Sequence, residues 1–69
     1  MFRNLDAEQA RRGMTNAATA SLIGVSRVVF ENKKKSGKFS VLEAQKLCEF
    51  FHCDFDYLFE VYDVATVKS

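Results

Sequence analysis

A chain of 69 residues, 48% hydrophobic and 28% charged, can form one small globular domain and contains too many apolar side chains to be disordered. It lacks an apolar run of the roughly 18 to 20 residues that span a bilayer, a signal-peptide stretch at its start, and enough cysteines for a disulfide framework. The net charge of +1 excludes neither nucleic acids nor proteins as partners, and we expect a reduced, cytoplasmic protein without membrane contact.

The first predicted elements are two short helices. We expect one over residues 5–12, ending at Gly13, and a second over residues 16–23 with Thr15 as its N-cap, since its hydroxyl can accept from an amide of the first turn. The residues of the second helix expected to face inward are Ala18, Thr19 and Leu22.

The third predicted helix forms a helix-turn-helix with the second. Gly24 permits the positive φ of a sharp turn, and Ser26 can cap a helix that continues to the Ser36-Gly37 pair. Val25 and Phe30 are expected to be buried and to fix the angle between the two helices. In such a pair the second helix enters the major groove of DNA.

Two more helices are predicted downstream. Ser40 and Glu43 have the spacing of a capping box, and Asp54 can cap a short fifth helix. The apolar residues at helical spacing are Val41, Ala44, Leu47, Cys48 and Phe51 in the fourth helix, and Phe55, Leu58 and Phe59 in the fifth. After this domain (residues 1–59), the tail of residues 60–69 is either a short β-strand that pairs with a second subunit or a loose end.

The charges are unevenly distributed along the chain. Residues 27–38, the basic segment, carry five cations against one carboxylate, a balance of +4. Residues 39–69 have a balance of −4. A local basic patch binds polyanions even when the whole chain is nearly neutral, so nucleic acid is the partner that this distribution favours.

The sequence resembles the repressor/Cro-type (XRE) helix-turn-helix family. The resemblance is carried by residues 13–16 (Gly-Met-Thr-Asn), 20–27 (Ala-Ser-Leu-Ile-Gly-Val-Ser-Arg), 41–51 and 53–59, and it covers residues 4–59. The chain looks especially like small regulators of Gram-positive phages and mobile elements, which share Glu-Asn-Lys-Lys-Lys and Gly-Lys-Phe. The resemblance implies an all-α, five-helix repressor-like domain whose homodimer binds double-stranded DNA and represses transcription in the bacterial or phage-infected cytoplasm.

The resemblance also implies base-contacting positions. Arg27 and Val28 lie at the start of the third helix, and Asn32 follows one turn later on the same face. Arginine can donate two hydrogen bonds to guanine, asparagine can bond to adenine, and valine can pack against a thymine methyl group. Glu31 either pairs with Lys35 one turn later or accepts from a cytosine amino group.

Phosphate contacts are expected at two helix starts and in the basic segment. The implied positions are Asn16, Ser26, Lys33, Lys35 and Lys38. Taken alone, the lysine run would be a solvated helix end, since cations are favoured there. The family has an aliphatic residue near Lys33 or Lys34, so we expect one of these two to bury its stem and extend its ammonium outward.

Neither a metal site nor an enzyme is expected. Cys48, His52 and Cys53 are too few for structural zinc, which takes four ligands. Cys48 is interpreted as a small core residue and His52 as a helix C-terminal cap. The residues indicate no cofactor, small-molecule substrate or catalytic group.

An alternative function is a protein-interaction module of phage origin that uses the same fold to bind a host or phage regulator. Its working surface would be formed by the abundant aromatic residues and residues 61–67. The basic segment favours DNA over this alternative, because protein binding does not require it.

Overall fold

The computed structural model describes residues 1–61, so the strand or loose tail expected within residues 60–69 lies almost entirely outside the described part. The described residues form five helices: α1 (Arg3–Arg11), α2 (Asn16–Leu22), α3 (Arg27–Ser36), α4 (Val41–Phe51) and α5 (Phe55–Leu58). These residues contain no strand, which confirms the all-α prediction for this part of the chain. None of these helices is long and apolar enough to cross a membrane.

Hydroxyl caps set the starts of α2 and α3. Thr15 Oγ1 accepts from the Ala18 amide at 3.0 Å, and Ser26 Oγ accepts from the Val29 amide at 3.2 Å. Each bond satisfies an amide that has no partner within its own helix, so both predicted caps are confirmed. Gly24 lies between the helices at φ +75°, a conformation in which other residues are strained.

The two later helices begin differently. At α4, Ser40 Oγ accepts from the Glu43 amide at 3.1 Å, and the Ser40 amide donates to Glu43 Oε1 at 2.9 Å, which completes the predicted capping box. Asp54 occupies the N-cap position of α5 but makes no capping hydrogen bond. The predicted cap at Asp54 is therefore wrong, since its exposed carboxylate stays in solvent.

Aromatic and leucine side chains form most of the core. The largest fully buried side chains are Leu5, Thr19, Phe30, Leu47, Phe51 and Leu58. The rings of Phe2, Phe39 and Phe59 contact one another with centroids 5.3 to 5.9 Å apart. This ring cluster joins the start of the chain, the α3–α4 connection and the end of α5.

Two positions predicted to face inward lie at the surface. Ala18 is exposed, and Val41 is 84% exposed. Both belong to the first turn of a helix, where side chains tilt back toward the N-terminus and project past the neighbouring helices. Inward packing in α4 begins one turn later, at Ala44.

The most extensive helix–helix packing joins α2 and α3. Ala20, 1% exposed, provides the small side chain that lets the helices approach. The Val25 amide donates to the Ala20 carbonyl at 3.1 Å and closes the connection. Phe30 from α3 is completely buried, as predicted. Val25, which was also predicted to be buried, is half-buried, so that prediction is correct in part.

The buried carboxylate of Glu8 connects α1 to α5. Glu8 is 3% exposed and accepts hydrogen bonds from the guanidinium of Arg12 and from the Tyr57 hydroxyl, the latter at 3.0 Å. It also forms an ion pair with Arg11 at 3.1 Å. Arg12 also donates to the Phe51 carbonyl at 2.8 Å, which satisfies an acceptor at the end of α4. These bonds connect α1 to α5 and to the end of α4.

Candidate nucleic-acid interface

One side of α3 faces solvent. A helix turns about 100° per residue, so Val28, Asn32 and Lys35 fall within about 60° of one another on the side away from Phe30. All three are exposed, and Val28 is apolar yet 54% exposed. We call these three residues the outer face of α3. The structure therefore brings together two of the predicted base contacts and one of the predicted phosphate contacts.

Arg27 and Asn16 meet at the edge of this face on a single carboxylate oxygen. Glu31 Oε2 accepts from Arg27 Nη1 at 2.8 Å and from Asn16 Nδ2 at 3.1 Å. The hydrogen bond from Asn16, followed by that from Arg27, holds the pKa of Glu31 below its ordinary value, although partial burial opposes this effect.

The prediction that Glu31 pairs with Lys35 is wrong as to the partner. Glu31 pairs with Arg27, the residue one turn earlier. Helical side chains lean toward the N-terminus, so the Glu31 carboxylate is directed to Arg27, and Lys35 only adds a weaker favourable charge.

Lys34 is a site residue to which the sequence analysis assigned no DNA contact. Its ammonium lies 2.6 Å from Asp6 Oδ1, 2.9 Å from Gln9 Oε1 and 3.2 Å from Asn16 Oδ1, and its side chain is 18% exposed. It also lies 5.3 Å from the centre of the Phe30 ring. One signal was available: Lys34 follows the buried Phe30 by four residues, which places both on the inner side of α3.

Gln9 extends this network into α2. Its Nε2 donates to Thr19 Oγ1 at 2.9 Å and to Asn16 Oδ1 at 3.2 Å. The oxygen of the Asn16 amide therefore accepts from Gln9 and Lys34, while its nitrogen donates to Glu31. These bonds fix the orientation of a predicted phosphate-binding side chain at the start of α2.

Two predicted phosphate contacts are engaged within the chain. Lys33 Nζ lies 3.2 Å from Glu43 Oε1 and 3.3 Å from the Lys38 carbonyl, and the Ser26 hydroxyl caps α3. The pKa of Glu43 is lowered first by the Ser40 amide and then by Lys33.

The expectation that Lys33 or Lys34 extends its ammonium outward is wrong. Both stems are largely covered, as expected for one of them, but both ammonium groups are turned onto acceptors of the protein. Carboxylates supplied by Glu43 and Asp6 account for this direction.

The basic segment is therefore less positive at its surface than its sequence indicates. Arg27, Lys33 and Lys34 form ion pairs with carboxylates. Within residues 1–61, Lys35 and Lys38 form no such pair, and both are exposed. Within the basic segment, the unpaired positive charge therefore lies on Lys35, on the outer face of α3, and on Lys38 in the loop that follows it.

The cysteines and the histidine lie in the last turns of α4 and directly after it. Among residues 1–61, no group of three or more His, Cys, Asp or Glu side chains is placed to hold a metal ion. Cys48 and Cys53 are half-buried thiols, and burial raises the pKa of Cys48. His52 ends α4 at φ 54°, at the C-cap position that its sequence context predicted.

No family model matches the chain, and neither does any curated protein or solved structure. Function must therefore be inferred from the chemistry of these surfaces.

Proposed function

We propose that the chain is a sequence-specific regulator of transcription that binds double-stranded DNA as a homodimer and acts as a repressor. In this proposal α2 and α3 are a helix-turn-helix of the repressor/Cro type, and α3 is the helix that enters the major groove. The observation that carries the proposal is the outer face of α3, where Val28, Asn32 and Lys35 are exposed. Arg27 and Asn16, both bonded to Glu31, lie at its edge.

The chemistry of this face suits a major groove. A helix with its side chains is about 10 to 12 Å wide and the groove about 12 Å, so α3 can enter it. Arg27 and Asn32 supply donors for guanine and adenine, and Val28 supplies an apolar contact for thymine. Lys35 and Lys38 supply sequence-independent attraction to phosphates.

Dimerisation belongs to the same proposal. Two copies of α3 would read half-sites about one helical turn apart, and bound protein would exclude polymerase from the promoter. The tail was expected either to pair with a second subunit or to be a loose end. If it pairs the subunits, a chain ending at Phe59 should lose dimer mass in sedimentation. A truncated chain that remains dimeric would place the subunit contact elsewhere.

The test is fluorescence anisotropy with a duplex from upstream of the chain's own gene and a scrambled duplex, each at two salt concentrations. We expect salt-sensitive binding that prefers the upstream duplex. Replacement of Arg27 by Ala should weaken that binding by about 1–3 kcal/mol and reduce the preference. The control Lys46→Ala removes one exposed cation from α4 and should preserve the preference. Absence of binding to either duplex at low salt would reject the proposed function.

A protein-interaction module is the second candidate, and one observation favours it. The α4–α5 side of the domain exposes apolar side chains, chiefly Val41, Leu42 and Phe55, the last of them 58% exposed. Such residues can form part of a protein-binding surface. A Leu42→Lys variant separates the candidates, because it should leave DNA binding intact and abolish binding to a protein partner at this surface.

A further inference from the structure

The Glu31 carboxylate joins two residues that the proposed function assigns to different parts of DNA. Arg27 is a base contact at the start of α3, and Asn16 is a phosphate contact at the start of α2. Both donate to the same oxygen, Glu31 Oε2, at 2.8 and 3.1 Å. One side chain therefore sets the positions of two groups that would have to meet DNA together.

This contact leaves most of the arginine donors available. A guanidinium carries five N–H donors in a planar fork, and one Arg27 nitrogen bonds to Glu31. The side chain of Arg27 remains 56% exposed while paired. A pair of hydrogen bonds to one guanine uses two donors, so Arg27 can contact Glu31 and a base at the same time.

The other partner of Glu31 is held in place from behind. The oxygen of the Asn16 amide accepts from Gln9 Nε2 and from Lys34 Nζ, both at 3.2 Å. A reversed amide would turn its NH₂ group toward the Lys34 ammonium, where two donors would face each other. The Asn16 nitrogen is therefore directed at Glu31.

We propose that Glu31 is a positioning residue that sets the sequence preference of DNA binding more than its strength. By receiving Arg27 and Asn16 on one oxygen, Glu31 directs the remaining guanidinium donors at a base and ties the start of α2 to the first turn of α3. This inference rests on the DNA-binding function proposed above. Without Glu31, Arg27 would move more freely and could contact phosphates, which attract arginine at any sequence.

The expected size of the effect follows from the exposure of the pair. An ion pair that is partly open to solvent changes binding by at most about fivefold. The measured quantity is the ratio of two Kd values, that for a scrambled duplex divided by that for the duplex that the chain prefers. Glu31→Gln should therefore lower this ratio by up to about fivefold. Binding to scrambled DNA should tighten, since a negative charge near the phosphates is removed.

The experiment begins with a duplex that the unmodified chain selects from a random-sequence pool. The Kd values for the selected and scrambled duplexes are then measured for the original chain, Glu31→Gln, Glu31→Asp, Arg27→Ala and the double variant Arg27→Ala/Glu31→Gln. Glu49→Gln is the control, because it removes an exposed carboxylate on α4 and changes the net charge equally. Circular dichroism at each step establishes that the variants are folded.

We expect the Kd ratio to fall in Glu31→Gln, to recover in part in Glu31→Asp and to stay unchanged in Glu49→Gln. In the Arg27→Ala background, Glu31→Gln should no longer change the ratio, because the residue being positioned is gone. An unchanged ratio in Glu31→Gln, or an equal fall in Glu49→Gln, would overturn the positioning role while DNA binding stands. If the original chain selects no duplex, the proposed function fails and the positioning role fails with it.

Discussion

Glu8 is a buried acid whose neighbours favour its charged form. The hydrogen bond from Arg12, and then that from Tyr57, lower the pKa of Glu8 from its ordinary value of 4.5, although burial opposes the shift. A carboxylate with a lowered pKa in the folded state stabilises the fold fully above its unfolded pKa. That stabilisation is lost as the pH falls through 4.5 toward the lower folded value.

Acid should therefore destabilise the protein partly through Glu8. We expect the melting temperature to fall as the pH drops below 4.5, and to fall less steeply in Glu8→Gln, which has no charge to lose. Glu49→Gln, at an exposed position, should keep the original pH dependence. Thermal melts followed by circular dichroism at several pH values measure this, and equal slopes for Glu8→Gln and the original chain would contradict it.

Lys34 and Lys35 are adjacent lysines with opposite surroundings. Lys34 donates to the buried Gln9 and to Asn16, whereas Lys35 is exposed. Lys34→Met keeps the apolar stem but removes a donor from partly buried acceptors, which should cost about 1–3 kcal/mol of unfolding free energy. Lys35→Met should change it by less than about 0.5 kcal/mol. Urea denaturation of the two variants measures the difference, and equal values would show that Lys34 has no structural role.

The starts of α4 and α5 allow a helix with capping hydrogen bonds to be compared with one that has none from its N-cap side chain. Ser40 exchanges two hydrogen bonds with Glu43, whereas Asp54 makes none with its helix. We expect Ser40→Ala to lower the unfolding free energy by about 1 kcal/mol and Asp54→Ala to change it by less than about 0.5 kcal/mol. The same urea experiment measures both, and a larger loss for Asp54→Ala would contradict the assignment of these caps.

The helices were predictable because their boundaries depend on local signals. Thr15, Ser26 and Ser40 each accept from an amide three residues later, so sequence spacing alone locates them. Residues in the first turn were harder to place, as Ala18 and Val41 show, because their burial depends on how far a neighbouring helix extends. Asp54 shows the same limit, since a capping residue type does not ensure a capping bond.

Pairing across the domain was not predictable from spacing. The five cations of the basic segment appear in the sequence as one patch, but three of them are paired, two with carboxylates outside the segment. Asp6 and Glu43 are 28 and 10 residues distant from their lysine partners, counting along the sequence. Only the packing of α1 and α4 against α3 brings these groups together. The exposed positions of Val28 and Asn32 followed from helical spacing and were accessible to sequence reasoning.

Salt dependence should reveal which cations of the domain act on DNA. Lys35 and Lys38 are exposed without an ion pair among residues 1–61, so each can neutralise a phosphate. Lys35→Ala or Lys38→Ala should each flatten the slope of log K against log salt by about 0.9, equally for matching and scrambled duplexes. Lys46→Ala, on α4, should leave the slope unchanged. Anisotropy titrations over a range of salt concentrations measure this, and a change as large in Lys46→Ala would argue against α3 as the binding side.

The half-buried thiol of Cys48 can report motion of the domain around α4. Burial raises its pKa, so little of it is thiolate at neutral pH while the domain is closed, and the thiolate is the form that reacts with alkylating reagents. Transient opening of the packing around α4 would expose the sulfur further and restore ordinary reactivity. The alkylation rate of Cys48 therefore records how often the closed domain opens. A change in that rate when DNA is added would mean that binding at α3 alters the packing around Cys48.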